Sequence, residues 1–150
     1  MIRLQREAFD AAAELDKFRR GQTGAGSTVM FLGTVREMTA EGAIEAMTLE
    51  HYPGMTEKAL EAIEAEACGR WPLLASLIIH RFGRLEPGDD IVLTATQSAH
   101  RQAAFEACAF LVDYLKTRAP FWKLEEAHGT KTWVEARDSD EDAAARWKQR

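Results

Sequence analysis

Apolar and polar residues follow one another along this chain in two rhythms, and each rhythm predicts a type of element. Alternation at every second residue is typical of strands, whereas apolar residues three or four positions apart are typical of a helix with one buried face. The first rhythm predicts strands at residues 1–5, 27–35, 43–51, 73–82, 90–96, 121–126 and 130–136. The strand at 1–5 is short, as edge strands are, and the strands 27–35 and 43–51 are expected to pair antiparallel.

The second rhythm predicts four helices, three of which are shorter than the fourth. Residues 10–20 form the first, which Gly21 can end, and residues 55–70 form the second, with Pro53 suited to its first turn. Ser139 can cap a last helix that is rich in Asp, Glu and Ala.

The longest predicted helix begins after Ser98 as its N-cap and ends before Pro120. Its apolar stripe is expected to lie at the centre of the core and consists of Ala104, Cys108, Leu111 and Leu115. Strands and helices alternate without a regular βαβ rhythm, and turn signals stand at residues 83–88 and at His128-Gly129. The sequence therefore predicts an α+β fold, a mainly antiparallel sheet packed with helices, in a single domain covering residues 1–150.

Composition and charge exclude several classes of protein. The chain has 150 residues with 46% hydrophobic content, enough for one core, and a formal net charge of -5, which disfavours general binding to nucleic acid. No targeting or membrane-spanning segment is apparent, so we expect no membrane association and a cytoplasmic location. Cys68 and Cys108 lack metal-site spacing, so both are interpreted as reduced core residues and no metal is expected.

Basic residues at the ends of predicted elements are the main candidates for chemistry, because Gly-x-Ser-x-Gly, His-Glu-x-x-His and Cys-x-x-Cys motifs are absent. These residues are Arg36, His100, Arg101, Lys116, Arg118 and Lys123. The start of the long helix, beside His100 and Arg101, suits a phosphate. Arg101 and Lys116 are separated by about 22 Å along that helix, so one pocket that used both would need a second subunit.

Three other interpretations remain open from the residues alone. Lys116 and Arg118 can simply stabilise the C-terminal end of the helix dipole, with the other cations solvated. The chain can be a non-catalytic module that holds a partner. A phosphate-ester or nucleotide-binding enzyme is suggested by the glycines of residues 21–26, although no Gly-Lys-Ser/Thr ending follows them.

Four strings of residues resemble signatures of the molybdopterin synthase large subunit, the MoaE family. They are LEHYPGM at 49–55, SAHR at 98–101, DYLKTRAPFWK at 113–123 and WVEA at 133–136. The resemblance covers residues 27–147 in the same order and with similar spacing. It implies an α/β-hammerhead-type fold and a sulfurtransferase of molybdenum cofactor biosynthesis.

The resemblance also implies a substrate, a partner and an assembly. The substrate would be cyclic pyranopterin monophosphate, converted to the dithiolene of molybdopterin by two sulfurs from the thiocarboxylated C-terminal glycine of a small ubiquitin-like subunit. The large subunits would form a central dimer within a heterotetramer, and no cofactor would be needed. Because the partner brings the sulfur, Cys68 and Cys108 need not react.

The resemblance assigns roles residue by residue. Lys116 and Lys123 are the implied catalytic pair, and Lys116 would act in acid/base steps or stabilise an oxyanion. The implied substrate-binding residues are Thr34, Val35, Arg36, His100, Arg101, Lys116, Lys123, Leu124 and Glu125. Leu124 departs from a position that is often basic or polar in the family, so it is expected to act only through its backbone. Arg137 is a further candidate for the anionic substrate or the partner's tail.

Overall fold

The computed structural model describes residues 1–39, 42–134 and 138–149. The strands are β1 (Ile2–Gln5), β2 (Ser27–Thr34), β3 (Met38–Thr39), β4 (Gly42–Ala43), β5 (Ala46–His51), β6 (Leu73–Arg81), β7 (Gly83–Leu85), β8 (Asp90–Ser98), β9 (Phe121–Ala127) and β10 (Thr130–Val134). The helices are α1 (Ala11–Arg19), α2 (Met55–Arg70), α3 (Arg101–Thr117) and α4 (Asp138–Ala145), and α4 continues into a 3-10 turn at Arg146–Gln149.

The strands form two four-stranded sheets and one short hairpin. The first sheet has the order β1-β6-β8-β2, the second has the order β10-β9-β5-β7, and β3 pairs with β4. Among the described strands, β1 and β6 are the one parallel pair. The predicted α+β class with mainly antiparallel pairing is confirmed, and β1 is the edge strand that its length suggested.

Two helices cover one face of the first sheet and form the main core. Leu60 and Ile63 of α2 and Phe110 and Leu111 of α3 are fully buried together with Ile78 of β6. Fully burying a side chain of this size stabilises the fold by about 1.5–3 kcal/mol. The predicted stripe on α3 is confirmed, since all four of its residues are buried.

The predicted pairing between 27–35 and 43–51 is wrong. β2 pairs with β8 from Ser27 to Thr34, whereas β5 lies in the second sheet between β7 and β9. The hairpin of β3 and β4 lies between them in the chain and leads from one sheet to the other. Local alternation predicts a strand but carries no information about its partner, which long-range packing selects.

The predicted start of the long helix also differs from the structure. His100 is the N-cap of α3, and Ser98 is the last residue of β8, where its buried hydroxyl donates to the Pro72 carbonyl at 2.9 Å. Gly26 lies directly against this junction, because a Cβ at Gly26 would come within 2.1 Å of the Ala99 carbonyl oxygen. Close backbone approach therefore accounts for this glycine of the 21–26 segment, which a strand follows rather than a helix.

Smaller differences concern single residues and one strand. Pro53 precedes the N-cap Gly54 of α2, so it lies outside the helix rather than in its first turn, and Ser139 lies inside α4. The turn predicted at 83–88 contains the short strand β7. Cys108 is buried as expected, but Cys68 is exposed on α2 and is not a core residue. No helix in the described part of the chain is long and apolar enough to cross a membrane.

Candidate functional site

A cavity of about 540 Å³ lies where the C-terminal end of α3 meets β2 of the first sheet and β9 of the second. Its wall contains the predicted residues Thr34, Val35, Arg36, Lys116, Lys123 and Glu125. Three separate parts of the sequence thus supply one site. The resemblance implied that these residues share one substrate, and the fold brings them together around one cavity.

The segment that carries Arg36 is fixed by its backbone. The Val35 N–H donates to the Asp89 carbonyl at 2.9 Å, and the Gly88 N–H donates to the Val35 carbonyl at 2.8 Å. Just before this segment, a Cβ at Gly33 would lie 2.8 Å from Cγ1 of Val92, so only glycine fits without displacing a cavity-lining side chain. These contacts hold Thr34 and Arg36 at the cavity wall.

Lys116 lies in the last turn of α3, where the buried stripe of the helix fixes its position. Its neighbour Leu115 is 7% exposed, whereas Lys116 itself is exposed and lines the cavity. Arg118 points elsewhere, since its guanidinium pairs with Glu66 of α2 at 2.7 Å and holds the pKa of that carboxyl below its usual value. Arg118 therefore joins two helices and does not line the cavity.

Strand β9 divides its residues between two faces. Phe121, Lys123 and Glu125 line the cavity, while the alternate residues Trp122 and Leu124 do not. This is the normal alternation of a strand. The side chain of Leu124 is thus outside the cavity, and its expected contact through the backbone stays a prediction.

The charges around the cavity favour an anionic ligand. Arg36 and Lys116 make no ion pair within residues 1–39, 42–134 and 138–149. Lys123 adds a third cation, and the carboxylates of Glu125 and Asp140 also line the wall. Glu125 is only 9% exposed, so it offers a shielded hydrogen-bond acceptor. The cavity can hold a molecule with an anionic group at one place and hydrogen-bond donors at another.

His80 is a cavity residue that the sequence analysis missed. It lies near the end of β6, its side chain is 8% exposed, and its ring stacks on Phe121 with centroids 3.9 Å apart and an interplanar angle of 14°. Burial lowers the pKa of His80 from 6.5 to about 4. The available signal was a single histidine ending the apolar run of residues 73–80, a pattern that more often marks a core residue.

His100 and Arg101 lie at the opposite end of α3 from Lys116. The helix has 17 residues, so the two ends are separated by about 22 Å between Arg101 and Lys116. Both side chains are exposed, and neither lines the cavity of the same chain. Their role in substrate binding stays a prediction that needs a second chain. Arg137 lies outside the described residues.

A metal centre finds no support in the described part of the chain, where no three His, Cys, Asp or Glu side chains are grouped closely enough to bind an ion. The thiol of Cys108 is buried, and burial raises its pKa to about 11, which disfavours the reactive thiolate. The ionisable groups that line the cavity are amines, a guanidinium, carboxylates and an imidazole.

Comparison with known proteins gives a consistent result. Residues 4–118 match the sequence model of the family described as MoaE protein. The chain is 55% identical over 148 residues to the molybdopterin synthase catalytic subunit of Pseudomonas aeruginosa, covering 99% of both proteins.

Two solved structures are similar over nearly their whole length. The molybdopterin biosynthesis MoaE protein from Burkholderia ambifaria is 50% identical in sequence and superposes with a TM-score of 0.84. The alignment covers 99% of this chain and 97% of that chain. The chain in the crystal structure of molybdopterin synthase from Staphylococcus aureus is 30% identical in sequence and superposes with a TM-score of 0.81. The alignment covers 89% of this chain and 96% of that chain.

Proposed function

We infer that this chain, which belongs to the MoaE protein family, is the catalytic subunit of a molybdopterin synthase, a sulfurtransferase of molybdenum cofactor biosynthesis. The observation that carries this inference is the cavity in which Arg36, Lys116 and Lys123 meet beside the buried Glu125. Residues from β2, α3 and β9 form it, and they include part of the DYLKTRAPFWK string at 113–123. Residues 1–150 act as one catalytic domain in this proposal.

The substrate is cyclic pyranopterin monophosphate, and the cavity's charges suit it. The guanidinium of Arg36 can make two parallel hydrogen bonds to a phosphate, and the ammonium groups of Lys116 and Lys123 add positive charge. The cyclic phosphate carries a single negative charge, which these cations can balance. Thr34, Val35 and Glu125 contact the remainder of the substrate, and Leu124 contributes through its backbone.

The sulfur comes from the small ubiquitin-like subunit, whose thiocarboxylated C-terminal glycine enters the cavity. The thiocarboxylate sulfur forms a bond to a substrate carbon. A carbon–oxygen bond at the same carbon breaks, and its oxygen leaves as water or stays on the phosphate, so that a thioester links the substrate to the glycine. Water then adds to the thioester carbonyl, the bond from that carbon to sulfur breaks, and the partner leaves as a carboxylate. A second partner molecule repeats the transfer and completes the dithiolene.

Lys116 and Lys123 are the catalytic residues of this scheme. Water addition places a negative charge on the oxygen of the thioester carbonyl, and a nearby ammonium group stabilises such a charge. Lys116 occupies a helix end whose backbone is fixed by buried neighbours, and the residue lines the cavity. Lys123 assists by positioning the substrate or moving a proton.

The complete site needs a second copy of the chain. Because Arg101 and Lys116 are separated by the length of α3, His100 and Arg101 reach the phosphate in the cavity of the partner chain within a central dimer. One small subunit binds each far end, which gives a heterotetramer. Arg137 assists with the anionic substrate or the partner's tail, and the complex works in the cytoplasm.

Product formation by purified proteins tests this function. The chain is mixed with cyclic pyranopterin monophosphate and the thiocarboxylated small subunit, and the dithiolene product is oxidised to a fluorescent pterin. Lys116→Ala is expected to lower product formation by at least about a hundredfold, as loss of a transition-state donor does, while the fold and partner binding are kept. Arg118→Ala is the matched control, because it removes a cation two residues away that pairs with Glu66 outside the cavity.

The alternative interpretations give different results in the same assay. A folded wild-type chain that binds the small subunit but makes no product would favour the non-catalytic module. Near-normal turnover by Lys116→Ala would exclude Lys116 from the mechanism but would leave the proposed function of the chain unchanged. Equal losses in Lys116→Ala and Arg118→Ala would show that stability, and not catalysis, explains the effect.

A further inference from the structure

His80 occupies a position in the cavity wall to which neither the family resemblance nor the mechanism above gives a role. Its side chain lines the cavity together with Lys116, Lys123 and Glu125. The ring lies nearly parallel to Phe121, another lining residue, at a centroid distance of 3.9 Å. A buried imidazole held flat against an aromatic ring has little rotational freedom, so its two nitrogen atoms have fixed positions.

The hydrogen bond of Nδ1 fixes the tautomer. Nδ1 of His80 lies 2.8 Å from the carbonyl oxygen of Arg81. A carbonyl can only accept, so Nδ1 carries the proton and donates it. In the neutral ring Nε2 is then an acceptor with its lone pair at the distal edge of the imidazole. Among residues 1–39, 42–134 and 138–149, the one hydrogen bond recorded for the His80 ring is that of Nδ1, so Nε2 has no donor there.

The ring stays neutral under physiological conditions. Burial is the main cause that lowers the pKa of His80 to about 4. The hydrogen bond to the Arg81 carbonyl opposes this shift, and repulsion from His51 and Lys116 adds to it. Protonation would place a second cation near Lys116, whose charge opposes it. Nε2 therefore keeps its lone pair at neutral pH.

The charged groups of the wall select different ligand groups from those that the neutral Nε2 selects. Arg36, Lys116 and Lys123 donate hydrogen bonds and attract anions, whereas Glu125 accepts but also attracts cations. A neutral acceptor in a fixed position selects for an N–H or O–H group and rejects a carbonyl or ether oxygen, because two acceptors facing each other leave both unsatisfied.

We propose that His80 is a specificity-determining residue, whose Nε2 accepts a hydrogen bond from an N–H group on the nitrogen heterocycle of the substrate. This role rests on the function proposed above and adds a contact to the same cavity. The phosphate is bound by the cations, and the heterocycle is oriented by His80 and Phe121. A substrate analogue with a ring oxygen or an N-methyl group at the contacted position would lack the donor and bind less well.

Two substitutions separate the acceptor from the rest of the side chain. His80→Asn places an amide N–H near the position of Nδ1, which keeps the donor to Arg81 but removes the distal acceptor. His80→Gln places an amide oxygen near the position of Nε2. Both variants lose the ring that stacks on Phe121, so this loss is matched between them. Each is assembled with the small subunit and checked by its melting temperature.

The dissociation constant of the pterin is measured by calorimetry with the small subunit in its unreactive carboxylate form, and kcat and KM are measured with the thiocarboxylate. His80→Asn is expected to raise the Kd and KM for the pterin by about tenfold or more, the effect of leaving one buried donor unpaired. His80→Gln is expected to stay within about threefold of wild type. The KM for the thiocarboxylated subunit should be unchanged in both.

Several results would overturn the role of His80. Equal Kd values for wild type and His80→Asn would exclude the contact, and a fall in kcat at constant Kd would show that His80 acts through Lys116 instead. Should His80→Asn not fold, His80→Phe keeps the stacked ring without the acceptor and must raise the Kd to the same extent. A wild-type complex that binds the pterin but forms no product would contradict the proposed function, whereas the Kd comparison would still test His80.

Discussion

Trp147 donates its indole N–H to Oδ2 of Asp113 at 2.7 Å, which fastens the 3-10 turn to α3 one turn before Lys116. The Trp147 ring is 2% exposed and packs edge-on against Trp71 and Phe110 at centroid distances of 5.5 and 5.7 Å. Its carbonyl also accepts from Arg70 of α2 at 2.7 Å. A single residue thus connects the 3-10 turn to both helices of the main core.

Two substitutions of Trp147 are expected to lower the stability of the fold by different amounts. Trp147→Phe keeps most of the ring but loses the hydrogen bond to Asp113, which should lower the free energy of unfolding by roughly 1–3 kcal/mol. Trp147→Ala also leaves a cavity and should cost roughly 3–5 kcal/mol. Urea unfolding measures both values. Lys148→Ala, an exposed neighbour, is the control, and a similar loss in that variant would contradict the packing argument.

The buried His80 should make the protein less stable in acid. Its pKa is about 4 in the folded state, so as the pH falls from about 7 the unfolded chain takes up a proton before the folded chain does. The free energy of unfolding should therefore fall between about pH 7 and pH 4, by at most about 3 kcal/mol from this group. His51 and Lys116 lie near enough to act on its charge. Urea unfolding of wild type and His80→Phe across this range measures the difference, and identical pH profiles would contradict it.

The two cysteines should differ in reactivity and be unnecessary for catalysis. Cys68 is exposed, whereas Cys108 is 3% exposed and has its pKa raised to about 11 by burial. A thiol reagent such as Ellman's reagent should label one cysteine in the native protein and both after denaturation. The double variant with Cys68→Ser and Cys108→Ala should still form the dithiolene. Loss of product by a stably folded double variant would mean that this chain supplies a nucleophile.

Mixing two inactive variants tests whether one cavity uses two chains. Lys116→Ala leaves His100 and Arg101 intact, and Arg101→Ala leaves Lys116 intact. If Arg101 serves the partner's cavity, each mixed dimer contains one site with both residues. Equal mixing after reversible dissociation should then restore about a quarter of wild-type activity, since half of the dimers are mixed and half of their sites are complete. No recovery in verified mixed dimers would place both residues in the same chain's site.

The helices were the most predictable part of the fold. Residues 55–70 were predicted as a helix and α2 has those bounds, because apolar spacing on a long helix is a strong local signal. Ser98 was a sound N-cap by residue type, but β8 continues through it and His100 takes that position. The partner of β2 was not predictable, because pairing with β8 depends on contacts between residues more than 55 positions apart.

The charged residues of the candidate site were predictable, but its neutral acceptor, His80, was not. Arg36, Lys116 and Lys123 were identified from their positions at element ends and from the family resemblance, and the fold brings all three to one cavity. His80 was not identified, since a histidine at the end of an apolar strand has the same sequence pattern whether it fills a core or faces a ligand. A core histidine and a ligand-facing histidine can be told apart only in the folded structure, where the cavity beside the residue is visible.

Because side chains alternate along β9, an insertion or deletion near this strand should disturb the site more than a substitution within it. Lys123 and Glu125 face the cavity, and Trp122 and Leu124 face away from it. Inserting or deleting one residue just before the strand, with a matching shift of its register, would exchange these faces. Tryptophan and leucine would then lie in the cavity, although every side chain of the strand was still present. Insertions and deletions should therefore be tolerated in the turn after β9, at His128 and Gly129, and excluded between the end of α3 and Glu125.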